Sequence, residues 1–152
     1  MRNVYWDSDC FLGWLQDEVD KADLCAHVLE ECRAGKSRLV TSALTIAEVL
    51  ALKGQRPIPA DRRLAVEGFF KNSFIVVRSV TRRTSENARK YVWEHGVKPK
   101  DAIHIATAIE AGLDDLHTFD GDLIKQSGKH GKPLLLIRKP YVEPNLFNQP
   151  GR

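Results

Sequence analysis

The chain is poor in everything that marks a membrane protein, a disulfide scaffold or a low-complexity segment. No apolar run approaches the roughly 20 residues that a membrane span needs. The opening MRNVYWDSDCFLGWLQ lacks a basic region followed by an uninterrupted apolar stretch. The expected location is therefore the cytoplasm, with no membrane partner. Cysteine is scarce: Cys10, Cys25 and Cys32 are the only three, and an odd number in a chain of ordinary domain size argues for reduced thiols. Cys25, His27 and Cys32 superficially suggest a zinc cluster. Cys25 and Cys32, however, fall on one face of a helix, where free cysteine behaves as a small hydrophobe, and no metal is assigned there. No internal repeat is present.

What is present is the balance of a globular domain: 152 residues, 43% hydrophobic and 28% charged, enough for one domain with its own core. The net charge of +3 is mild, but its distribution is uneven. Arg78, Arg82, Arg83, Arg89 and Lys90 crowd one segment, and Lys98 and Lys100 immediately precede a carboxylate. Such clustering is compatible with a polyanionic partner.

Periodicity and punctuation alternate short β-rich runs with helical patterns. Strands are expected at Asn3 to Trp6, Arg38 to Val40, Phe74 to Val77, Leu116 to Thr118 and Leu134 to Ile137. Helices are expected from about Ser8, from Asp20 through Arg33 to a stop near Gly35, and from a Thr41 or Ser42 cap to Lys53, closed by Gly54, Pro57 and Pro59. Three more fit Ala60 to Lys71, Thr84 to His95, and a helix with Pro99 in its first turn that ends at Gly112. Strands separated by helices, several of them continuously apolar, imply βαβ units and an α/β fold with a mostly parallel sheet covered on both faces. The domain is expected over residues 1–140. The tail 141–152, rich in Pro, Asn and Gln, is expected to be extended or disordered.

Functional groups of an open parallel sheet gather at the carboxyl ends of its strands. Asp7 directly follows Val4-Tyr5-Trp6, and Asp120 follows Leu116-His117-Thr118-Phe119, with Asp122 two residues on. Singly, each has a bland reading as a helix cap or a turn. Two further acids stand where a bland sequence would not put them. Glu48 is the only charge in the run Ala43 to Leu52, a helix apolar nearly all round and of the kind normally buried, so its carboxylate must reach an edge, a cation or a base. Asp101 lies in the first turn of a helix of small apolar residues, where it complements the helix dipole. Several carboxylates in one cleft repel one another unless divalent cations hold them. Oxygen-only ligands favour Mg2+ or Mn2+, with positions left for substrate phosphate, an arrangement suited to phosphodiester cleavage.

These residues resemble the PIN-domain nucleases. Val4-Tyr5-Trp6-Asp7-Ser8 is similar to that family's strand ending in Asp and then Ser or Thr, and Thr45-Ile46-Ala47-Glu48-Val49 to its helix with a lone Glu. Lys100-Asp101-Ala102-Ile103-His104-Ile105-Ala106-Thr107-Ala108 looks like its Asp-Ala helix, and Thr118-Phe119-Asp120-Gly121-Asp122-Leu123 like its Thr-x-Asp-x-Asp ending. The resemblance implies a three-layer α/β/α domain that binds Mg2+ or Mn2+ and hydrolyses RNA. Asp7, Glu48, Asp101 and Asp120 would form the central cluster, Asp122 would stand at its edge, and Ser8 and Thr118 would support it. It further implies the toxin of a VapBC-type pair, held by a small antitoxin and usually a homodimer. Asp9 departs from the family's more usual Asn or Ser and adds a charge near the metals.

Two rivals remain. Asp7-Ser8-Asp9 superficially resembles the Asp-x-Asp of haloacid dehalogenase-like phosphatases, but Phe11 stands where that pattern calls for Thr. A non-catalytic RNA-binding domain on the same fold would be favoured by loss of acids, and all five are present. His95, His104 and His117 are read as packed, hydrogen-bonded side chains rather than a general base, and Trp6 and Trp14 as packing residues.

Overall fold

The computed structural model describes residues 1–49 and 59–142. The chain begins with β1 (Arg2–Trp6), α1 (Ser8–Leu15) and α2 (Ala22–Arg33), then β2 (Ser37–Ser42), α3 (Ala43–Val49) and α4 (Ala60–Phe70). It continues through β3 (Ile75–Arg78), α5 (Arg82–His95), α6 (Pro99–Glu110), β4 (Asp115–His117), α7 (Gly121–Ile124) and β5 (Leu136–Arg138). The strands form one sheet in the order β3-β2-β1-β4-β5, and every pairing in it is parallel. β1 is central and pairs with β2 on one side, Tyr5 opposite Val40, and with β4 on the other, Trp6 opposite His117.

Strand alternation sorts the core into two layers. Val4, Trp6, Leu39 and Ile75 point to the face covered by α1 and α2, where they meet Cys10, Phe11, Cys25, Val28 and Leu29. Tyr5, Val40, Leu116 and Ile137 point to the opposite face, where α5 and α6 bring Ala88, Ala102, Ile105 and Ala106. This is the expected three-layer α/β/α arrangement. All three cysteines are free and buried on the α1–α2 face.

Where boundaries differ from expectation, local hydrogen bonds give the reason. β2 runs on to Ser42 because Thr41 and Ser42 continue the ladder opposite Val77 and Arg78. Ser42 then caps α3, its Oγ accepting from Leu44 N at 3.0 Å. α5 starts at Arg82 rather than Thr84 because Thr81 and Thr84 form a reciprocal capping box. β4 and β5 are shifted by one or two residues from their expected spans. Asp120-Gly121-Asp122 opens a one-turn helix. α3 is not buried all round: Thr45 and Val49 face inward, whereas Ile46 remains 42% exposed. The expected continuation of α3 to Lys53 and its Gly54 and Pro57 stop lie outside the described residues.

The first two residues of the expected tail are packed against the sheet. Tyr141 lies beneath the guanidinium groups of Arg2 and Arg138, its carbonyl accepts from Arg2 Nη1 at 3.2 Å, and Val142 joins the α1–α2 core. Arg2 also reaches Asp115 at 2.6 Å, joining the starts of β1 and β4. Residues 143–152 lie outside the described part.

The core predicts a sharp contrast between two leucines. Leu116 is fully buried and Leu64 is 69% exposed. Leu116→Ala should lower unfolding free energy by about 2–5 kcal/mol, and Leu64→Ala should change it by less than about 0.5 kcal/mol, both read from urea midpoints.

Candidate active site

The end of the central strand fixes the first acid. Asp7 N continues the β1–β4 pairing by donating to His117 O at 3.4 Å, so the next side chain emerges at the carboxyl edge of the sheet. Its carboxylate has two partners: Oδ1 accepts from Cys10 N at 3.4 Å as the cap of α1, and Oδ2 accepts from Thr118 Oγ1 at 2.5 Å. Thr118 Oγ1 in turn accepts from Asp120 N at 3.1 Å, and Asp120 Oδ1 from Asp122 N at 3.0 Å. A continuous chain of hydrogen bonds therefore ties Asp7 to the turn after β4, although Thr118 is 111 residues away in sequence.

Two helices complete the site. The first turn of α6 carries Asp101, and α3 carries Glu48. With Asp7, Ser8, Asp9, Asp120 and the rim lysines Lys98 and Lys100, they line one cleft of about 470 Å³. Asp122 does not line it. Its side chain is 63% exposed and stands 3.7 Å from Lys98 Nζ and 3.8 Å from Lys125 Nζ.

Glu48 owes its position to a base, one of the options open to a lone acid on an apolar helix. Its Oε1 is 2.7 Å from His104 Nε2, and His104 Nδ1 is 2.6 Å from the Tyr5 hydroxyl. One proton arrangement satisfies all three groups: Tyr5 donates to Nδ1, and Nε2–H donates to Glu48. His104, 2% exposed, is thus packed and hydrogen-bonded as expected. Tyr5 was legible in sequence only as a strand residue, because its partner lies 99 residues away.

Crowding of like charge marks the site electrostatically. Burial, and then the charge of Asp9, push the Asp7 carboxyl up to about 7, against the Coulombic pull of His104 and the hydrogen bonds from Thr118 and Cys10. Asp101 rises to about 6, through burial and the charge of Asp120. Asp9 is raised as well, by burial and then by Asp120. Asp9 therefore belongs to the same cluster, a membership that its position two residues after Asp7 signalled only as an extra charge. As the side chains stand, no three His, Cys, Asp or Glu residues among those described are gathered around one ion position. Asp7, Glu48 and Asp120 instead turn toward Thr118, His104 and the Asp122 amide.

The PIN-domain family profile matches residues 4–129, a span that includes every one of these acids. The chain belongs to the PIN-domain family. Known structures share its fold at low identity. VapC20 of Mycobacterium tuberculosis, described as a Sarcin-Ricin loop cleaving toxin, superposes with a TM-score of 0.65 at 18% identity, over 79% of this chain and 92% of that one. A chain of FitAB bound to an IR36 DNA fragment gives 0.57 at 14% identity, over 94% and 99%. FitAcB from Neisseria gonorrhoeae gives 0.56 at 15%, over 90% and 97%. Among curated proteins none matches in sequence. In this PIN domain Asp7 and Asp120 cap α1 and α7 and also line one cleft with Asp9, Glu48 and Asp101.

The raised carboxyls carry a signed consequence for stability. A group whose pKa is higher folded than unfolded stabilises the fold below its unfolded value, near 4, and that contribution is lost as pH rises through the folded value. For Asp101 the window runs from about 4 to about 6. In the presence of chelator, Asp101→Asn should therefore gain in melting temperature relative to wild type as pH is raised from 4 to 8. A difference between the two that is flat across this range would show that Asp101 is not held in a repulsive site.

Proposed function

We propose that this chain is a divalent-metal-dependent endoribonuclease, the toxin of a type II toxin–antitoxin pair. The observation that carries the proposal is the convergence of Asp7, Asp9, Glu48, Asp101 and Asp120 in one lysine-rimmed cleft at the carboxyl edge of the sheet.

The donor set fits a hard cation. Its oxygens are carboxylates, and three of them, Asp7, Asp9 and Asp101, are raised by burial and by neighbouring acids; a cluster that costs free energy when empty of positive charge lowers that cost by binding it. Asp7, Glu48, Asp101 and Asp120 would hold Mg2+ or Mn2+, with Asp9 adding charge. Such an ion, when bound, supplies activation of water and neutralisation of charge at the phosphate.

The protein's own residues divide the remaining work. Thr118 and the Cys10 amide fix both oxygens of Asp7, so this carboxylate is held in one orientation. His104, itself bonded to Tyr5, holds one oxygen of Glu48. Lys98 and Lys100 at the rim attract a polyanion and offset its charge next to the acids. Ser8, beside Asp7, offers a hydroxyl to the cleft. A small antitoxin that closes this cleft and a homodimer are the partners proposed with this role, and the fold shared with VapC20 supports the reading.

Cleavage of a mixed single-stranded RNA pool by partner-free protein tests the reading directly. Wild type should cut with Mn2+ and stop with chelator, and Asp101→Asn should lose more than about 100-fold in rate while retaining a cooperative melt. Mn2+ should also raise the melting temperature of the wild type at pH 8, and much less that of Asp101→Asn. Absence of cutting by the partner-free wild type would favour a non-catalytic RNA-binding domain.

His104 has its own test as a positioning residue. His104→Ala frees Glu48 and leaves Tyr5 buried without its partner, so both melting temperature and Mn2+ stabilisation should fall. Tyr5→Phe, which leaves the imidazole bonded to Glu48, should retain most of the Mn2+ effect.

A further inference from the structure

Beside the acidic cleft lies a second depression of about 280 Å³, formed by the turn after α5 and the segment around α7. It shares Lys98 and Asp101 with the cleft, so the two adjoin along one furrow. Gly96 and Val97 line it on one side, and Asp122, Lys125 and Gln126 on the other. Its size falls just below the roughly 300–1,000 Å³ of sites that enclose whole small molecules, and suits one unit of a longer chain.

Its charged groups are arranged unusually for surface decoration. Lys98 and Lys125 come from elements well apart in sequence, yet both stand beside the same carboxylate, Asp122, at 3.7 and 3.8 Å. These separations are too long for good hydrogen bonds. The two lysines are 72% and 77% exposed, and ion pairs of that kind contribute little to stability. Folding therefore gains little from the trio. What the trio does achieve is to keep two ammonium groups over one furrow, loosely held and free to turn toward an incoming anion. Asp101 and Asp122 line the same depression and balance the two lysines in number, so the attraction for an anion is local, at the two exposed ammonium groups.

We propose that Lys98 and Lys125 form a subsite for a backbone phosphate of single-stranded RNA, next to the phosphate that lies over the acidic cleft. The subsite rests on the nuclease reading for its place beside a cleaved bond, but its ligand chemistry stands on the two lysines alone. Lys98, lining both depressions, bridges the two phosphate positions. Asp122 acts on the lysines here rather than within the carboxylate cluster, which accounts for a side chain turned away from the cleft.

Fluorescence anisotropy with a labelled oligouridylate of about ten nucleotides, in chelator and over a range of salt, tests the subsite without catalysis. Lys98→Ala and Lys125→Ala should each weaken binding several-fold at low salt and reduce the slope of log affinity against log salt by about 0.7. Lys36→Ala, an exposed change where the chain enters β2 at the opposite end of the sheet, should do neither. All three should melt like wild type. Wild-type affinity and slope in both Lys98→Ala and Lys125→Ala would overturn the subsite while leaving the nuclease reading intact, and so would a wild type that cleaves RNA but never binds the probe. Lysine-dependent binding by a protein that cuts no RNA with Mn2+ would uphold the subsite and remove the nuclease reading instead.

Discussion

The short hydrogen bond from Thr118 to Asp7 joins the ends of two parallel strands and holds in register the edge on which the site is built. Parallel neighbours require a crossover between them, and here the crossover contains most of the domain. β1 must leave room for β2, β3 and the helices between before β4 returns to its other side. The Asp7–Thr118 contact therefore forms only when β4 has returned beside β1. The Thr118 hydroxyl then passes the constraint onward, through the Asp120 amide, to the turn that carries Asp120 and Asp122.

Around that edge, stability and chemistry pull in opposite directions. A carboxylate at a helix cap or in a first turn is favourable on its own terms, as Asp7 is for α1 and Asp101 for α6. Gathering these carboxylates with Asp9 and Asp120 reverses the sign, because burial and mutual repulsion push Asp7 and Asp101 toward their protonated forms. The surrounding scaffold tolerates the repulsion because three of the acids are anchored by hydrogen-bonding groups. Thr118 and an amide hold Asp7, the imidazole of His104 backed by Tyr5 holds Glu48, and an amide holds Asp120. Anchors of this kind fix direction without cancelling charge, which leaves the cluster receptive to a cation.

Much of the fold was legible because its signals are local. The alternation in Val4-Tyr5-Trp6, the cap at Ser42, Pro99 in the first turn of α6, and the lone Glu48 each report an environment through the residue's own neighbours in sequence. The errors were local too. Thr81 caps α5, whereas Thr84, three residues on, carries the same local signal for a helix start. α3 was read as buried all round, whereas Ile46 faces outward. Composition marked the helix as apolar, but it carries no information on which flanks other elements will cover.

The sequence by itself determined the α/β class, the order of the strands and the candidate acids, since periodicity and an expensive charge in an apolar helix are properties of short windows. Only the tertiary structure decided which acids share a cleft: it brought Asp9 in beside Asp7, turned Asp122 out toward Lys98 and Lys125, and paired Glu48 with His104 and Tyr5. The physical reason is distance. Electrostatic and hydrogen-bonding partners act over a few ångströms of space, and in a parallel sheet with long crossovers those few ångströms separate residues about a hundred positions apart in the chain.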